Sequence, residues 1–100
     1  MGVCYLVELT AEESWLSLVK AFEAELKQRL RSRLKGIIAR SSSDDLVYES
    51  NVLVVVDRAD LEAIRAVVEA ASAAQERTGL EGLSPMTVSQ EDRHVIKVFT

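Results

Sequence analysis

The chain has 100 residues, of which 48% are hydrophobic and 28% charged, with a formal net charge of −4. That length makes one domain, residues 1–100, and the apolar content excludes a chain too polar to form a core. The negative charge counts against a general nucleic-acid binder, because neutralising phosphates needs a basic surface.

The longest apolar run, Val52–Val56, falls far short of the roughly 20 residues of a membrane span, so no membrane is expected as partner. No basic segment followed by an apolar stretch opens the chain, so no signal peptide is visible. Leu6 stands where a myristoylation motif needs Ser or Thr. Cys4 is the single cysteine, which excludes an internal disulfide and fits a reducing cytoplasm. Within its apolar stretch it reads as a small buried hydrophobe rather than a reactive thiol.

Residues 3–9 are rich in β-branched and aromatic side chains and predict a strand. Thr10 before Ala11-Glu12-Glu13 reads as a helix N-cap with its capping-box glutamate. Trp15, Leu18, Val19, Phe22, Leu26, Leu30 and Leu34 follow at steps of three and four, the stripe of a long amphipathic helix. Its acids come early and its bases late, which complements the helix dipole. Those bases read as a solvated face, with contact to a phosphate-bearing ligand as the other reading. Gly36 is the expected stop of this helix.

Ile37-Ile38-Ala39 predicts a short strand, and residues 40–45 a polar loop. The run Val52–Val56 suits a central strand covered on both faces. Asp57 or Asp60 is placed to cap a second helix carrying Leu61, Ile64, Val67, Val68, Ala71 and Ala74, with Gly79 as its stop. Residues 86–89 predict a third strand, residues 90–93 a turn and residues 94–99 a last strand. The class expected is α/β (α+β), a mixed sheet of about three to five strands with two long helices packed on it.

Residues 15–92 resemble the minimal nucleotidyltransferases of the polymerase-β superfamily, common in prokaryotes and often found beside a helical HEPN-type partner. The pattern there is a long amphipathic helix, an apolar strand and Gly-Ser. A polar spacer follows, then Asp-h-Asp, with h apolar, at the start of a second apolar strand. In this sequence the helix leads into L-K-G-I-I, and A-R-S-S-S-D-D-L-V-Y-E-S-N-V-L-V-V-V-D follows. Aligned without a gap, Ala39 and Arg40 take the places of Gly-Ser. Ser50, Asn51, Val52 and Leu53 take the places of Ser-Asp-h-Asp. The segment L-S-P-M-T-V-S-Q-E-D is similar to the third-strand region of a prokaryotic branch of that family.

The resemblance implies phosphoryl transfer assisted by two divalent ions held by carboxylates. Residues two apart on a strand share a face, so the paired aspartates aim at one site. Magnesium requires hard, mostly anionic oxygen ligands. Asn51 keeps one neutral oxygen, Leu53 offers none, and the third-strand position is Met86 or Val88. The expectation is therefore a degenerate domain with no catalytic residue, no metal and no cofactor. It would act in binding or assembly, with a second copy of itself or a HEPN-type helical protein as partner.

Two alternatives stand beside it. One is a nucleotide or anion sensor using Arg40 with Ser41, Ser42 and Ser43 as an anion clamp. The other is an enzyme with a rebuilt metal site drawing on Asp44, Asp45, Glu49 or Asp57. Arg40 has a simpler reading too, exposure to solvent or pairing with Asp44 or Asp45. His94, the single histidine, reads as a surface or strand residue.

Overall fold

The computed structural model describes residues 11–100. Helix α1 (Ala11–Leu30) leads through a short 3-10 turn (Arg31–Arg33) into strand β1 (Leu34–Ala39). Strand β2 (Val52–Val56), helix α2 (Leu61–Thr78), strand β3 (Pro85–Ser89) and helix α3 (Arg93–Phe99) follow. The strand expected over residues 3–9, the Thr10 cap and Cys4 lie outside the described residues.

The sheet is mixed, in the order β1-β2-β3, with β1 antiparallel and β3 parallel to the central β2. Two parallel neighbours cannot be joined by a tight turn, and α2 supplies the crossover between β2 and β3. All five residues of β2 are buried. Val52, Val54 and Val56 pack into a core formed with Trp15, Leu18, Phe22, Leu26 and Leu30 of α1 and Val67, Ala70 and Ala74 of α2. Leu53 and Val55 face the other way, into a smaller cluster with Val88 and Phe99. A strand covered on both faces needs an unbroken apolar run, which is what the sequence has there. Each fully buried Val or Leu contributes about 1.5–3 kcal/mol relative to exposure.

The caps of α2 are those expected. Asp60 Oδ1 accepts a hydrogen bond from Ala63 N at 2.9 Å, so Asp60 and not Asp57 is the N-cap. Gly79 ends the helix at φ 72°, a left-handed conformation that a β-carbon disfavours. The buried face is rotated from the predicted one, however. Ala63, Val67, Ala70, Ala71 and Ala74 point inward, while Leu61, Ile64 and Val68 are exposed. The small alanines let α2 lie close to both α1 and the sheet.

Helix α1 stops at Leu30, not at Gly36, which lies within β1 opposite Val55 beside a bulge. The reversal is anchored by Arg33. Its backbone oxygen accepts from Asp57 N at 3.0 Å, and its guanidinium donates to Asp57 (2.9 Å), to both oxygens of Asp60 (3.1 Å) and to Arg58 O (3.0 Å). These contacts, Asp57 first and Asp60 next, hold the guanidinium pKa above its ordinary value. In return the Asp57 carboxyl is held below its usual range by Arg33, and Asp60 by Ala63 N–H and then by Arg33. The α1 bases mostly pair within the chain, Lys27 with Glu23, and Arg29 with Glu25 and Glu69, as a solvated face does.

Residues 94–99 form a helix and not the predicted strand. The segment H-V-I-K-V-F satisfies both periods: Val95, Ile96 and Phe99 recur at helical steps, while alternation also pairs Val95 with Phe99. The helix wins because it brings Val95, Ile96 and Phe99 together onto Leu53, Val55 and Val88. Among the described residues, β1 and β3 are therefore the sheet edges, and no helix is long and apolar enough to cross a membrane.

Candidate functional site

The residues singled out by the Gly-Ser and Asp-h-Asp comparison do converge, at the end of the sheet where β1 leaves and β2 begins. Arg40 N donates to Asn51 O at 2.8 Å, extending the β1–β2 ladder by one step. Trp15 Nε1 donates to Arg40 O at 2.7 Å, which fixes the start of α1 over the same point. Ala39 pairs with Val52 and is exposed, and Ser50 is buried.

Asn51 is 1% exposed, and its side chain is fully engaged by backbone groups. Nδ2 donates to Ser43 O (3.0 Å) and Gly82 O (2.6 Å), and Oδ1 accepts from Ser84 N (2.9 Å). Its backbone N also donates to Ser84 O at 3.1 Å. The side chain thus cross-links the loop after β1 to the loop before β3. Gly82 takes φ 117°, a conformation that strains any residue with a β-carbon, and such a carbon would also crowd Ser43 Cβ at 3.3 Å. An amide matches this environment because it both donates and accepts, whereas an ionised carboxylate would face two carbonyl oxygens.

Leu53 is 0% exposed and lies against Phe99, itself 2% exposed, with Val88 in the same cluster and Met86 packed on it. The face where the resemblance would place metal-binding carboxylates is thus an apolar layer beneath α3. Two magnesium ions do not fit the side chains at these positions: Asn51 Oδ1 already accepts a hydrogen bond from Ser84 N, and Leu53, Val88 and Met86 offer only hydrocarbon or a thioether. Among the described residues no group of three or more His, Cys, Asp or Glu side chains is arranged to hold a metal. Asp57 is engaged at the far end of β2 with Arg33, Asp44 is exposed, and Glu49 is exposed in the turn that follows Tyr48.

Arg40 is the hub of the site. Nη1 donates to Phe99 O at 2.9 Å, tying α3 to the end of β1. Nε stands 3.2 Å from Asp45 Oδ2, close enough for charge attraction, but its N–H is misaligned and makes no hydrogen bond. Asp45 Oδ2 also accepts the Ser41 hydroxyl at 2.9 Å and the Ser41 N–H at 3.4 Å. The Ser41 hydroxyl, then Arg40, holds the Asp45 carboxyl below its usual pKa range. The position an external anion would take beside Arg40 and Ser41 is thus filled by the chain's own carboxylate. Ser42 and Ser43 serve the loop through their carbonyls, which accept from Asp45 N and Asn51 Nδ2.

The sequence leaves Arg40 exposed or paired with Asp44 or Asp45, and the structure pairs it with Asp45. The roles of Trp15, Gly82 and Phe99 were not foreseeable, because each reaches the site from a distant part of the chain. The one local signal was Phe99, a large aromatic following Val95 and Ile96 at helical steps.

Among the described residues, the fold and site define an α/β arrangement with a mixed three-stranded sheet, two long helices on one face and a short helix closing the other. No family model, curated protein or solved structure matches the chain.

Proposed function

We propose that the chain is a nucleotidyltransferase-like domain without two-metal chemistry, acting as a binding or assembly module for a polypeptide. The observation that carries this reading is the burial of Leu53 in one apolar cluster with Val55, Val88 and Phe99. Two hydrocarbon side chains pack where the resemblance would require paired carboxylates in reach of solvent. The element order also supports it: a long amphipathic helix, an apolar strand, a second apolar strand, a helix and a third strand. The assembly half draws on the aliphatic row Leu61, Ile64 and Val68 along α2, exposed by 70, 42 and 60%. A run of large exposed aliphatics on one helix face marks a contact surface more often than isolated ones do. The partner is a second copy of the chain or a helical protein.

Incubation with radiolabelled ATP, magnesium or manganese and candidate acceptors tests the catalytic half; no turnover above background is expected. Turnover abolished by Asn51→Ala but not by Glu76→Ala would overturn it. Light scattering against concentration tests assembly, and a strict monomer that captures no helical partner would end that part.

A further inference from the structure

The outer face of α2 carries a pattern that matches its own reverse. Leu61, Ile64 and Val68 are exposed along it, with Ile64 in the middle of the row. Beside the row stand four exposed charges that alternate in sign along the chain: Arg58 at the entrance to the helix, then Glu62, Arg65 and Glu69. These four cancel one another in a chain of net charge −4, so a second copy meets no net repulsion at this face. Arg65 makes no ion pair or hydrogen bond among the described residues. Glu62 and Glu69 reach Arg33 and Arg29 only loosely, at 3.7 Å.

We propose that this face of α2 is a two-fold interface, and that α2 of a second copy, running antiparallel, is its occupant. This rests on the assembly reading and names its partner and register. With the axis at Ile64, reversal sets Ile64 against its own counterpart and Leu61 against Val68 of the other copy. The same register sets Glu62 beside Arg65 of the other copy, and Arg58 beside Glu69. An alternating row of four charges changes sign when reversed, so each cation meets an anion. A parallel arrangement would set like against like. The two Arg65 side chains approach each other near the axis, each beside a Glu62 of the other copy. Each unlike contact occurs twice, as a self-complementary interface requires. Charge pairs flanking an apolar seam fix orientation and register between helices in this way. Three aliphatics per copy are few beside the roughly 20–30 residues a side of a standard interface, so the association is weak.

The experiment uses the full chain and its surface variants. Sedimentation equilibrium from about 10 μM to 1 mM should show the native chain passing from monomer to dimer, the range of a small interface. Glu62→Arg and Arg65→Glu should each weaken association at least tenfold, with native helical circular dichroism, because each sets like charges together. Mixed in equal amounts, the two variants should dimerise again, since each supplies the charge the other lacks. Ile64→Glu, which puts two carboxylates on the axis, should also weaken association at least tenfold. A native monomer across the range, a mixture no better than its components, or a dimer that survives Ile64→Glu overturns the proposal. In the last case the assembly reading stands on another surface. A native monomer that captures a helical partner likewise keeps that reading and discards the second copy.

Discussion

Asn51 Nδ2 lies 2.6 Å from Gly82 O, a hydrogen bond that joins the residue before β2 to the loop before β3 across 31 positions of sequence. Asn51→Ala removes that donor and leaves Ser43 O, Gly82 O and Ser84 N without their side-chain partner. Ser43 is half-buried and Gly82 and Ser84 are exposed, so water replaces much of what is lost, and a loss of about 1–2 kcal/mol is expected in urea denaturation. Asn51→Asp keeps the shape and reverses the polarity toward two carbonyls. Its carboxyl should therefore titrate above the ordinary range. At neutral pH this variant should be the less stable of the two, recovering as the pH falls and the carboxyl protonates. A stable Asn51→Asp protein at neutral pH would contradict the hydrogen-bond assignment.

Stability should fall in acid through three carboxylates. Asp45, Asp57 and Asp60 all have folded pKa values below the ordinary one. A depressed carboxyl binds its proton more weakly in the folded state, so its contribution is complete above the unfolded value, about 3.9, and is lost as pH falls through the folded value. The melting temperature should accordingly hold level above about pH 5 and decline steadily below it. Arg33 is raised and stays charged throughout this window, so it adds no acid transition of its own. Because Arg33 is the shared partner of Asp57 and Asp60, Arg33→Gln should flatten the acid limb. An unchanged slope in that variant would remove Arg33 as the cause.

Much of the architecture was legible because it rests on local signals. Val52–Val56 is unbroken and β-branched, Asp60 precedes a helical apolar period, and Gly79 stands where a left-handed residue is needed. The misreadings occurred where two local rules compete or a distant residue decides. Gly36 looked like a helix stop, but Arg33 reaches Asp57 and Asp60 and turns the chain before it. The segment H-V-I-K-V-F suits either period, and the docking of Phe99 beside Leu53 selects the helix. In the site, the resemblance points to Asn51 as an amide where it would place a carboxylate. Its bonds to Ser43, Gly82 and Ser84 depend on how two loops meet, and no spacing rule encodes that.

Introducing paired carboxylates at Asn51 and Leu53 should destroy the domain before it creates a metal site. Leu53→Ala alone is expected to cost about 2–5 kcal/mol, the range for a buried Leu truncated in a packed core. Leu53→Asp places a charge against Phe99 and Val88 with no polar neighbour within the cluster. A loss above about 4 kcal/mol is expected, with the carboxyl neutral rather than ionised in whatever folded fraction persists. The Asn51→Asp, Leu53→Asp double variant should then show no magnesium-dependent rise in melting temperature. A rise of several degrees with millimolar magnesium would mean that α3 yields to a metal site and that the fold keeps its room for one.

Removing Asp45 should create the anion site that the native chain fills for itself. In Asp45→Asn the Ser41 hydroxyl and the Arg40 guanidinium lose their carboxylate partner, while Arg40 keeps its bond to Phe99 O. The amide keeps the carboxylate's place but not its charge, so an external sulfate or phosphate is no longer repelled from the guanidinium and hydroxyl donors, which favour tetrahedral oxyanions. Calorimetry should give no resolved phosphate binding for the native chain at millimolar ligand, and at least tenfold stronger binding for Asp45→Asn. The gain should vanish when Arg40→Gln is added. Equal affinity in the native and Asp45→Asn chains would mean that the carboxylate does not occupy the anion position. Tight phosphate or ATP binding by the native chain would instead favour the sensor reading over assembly.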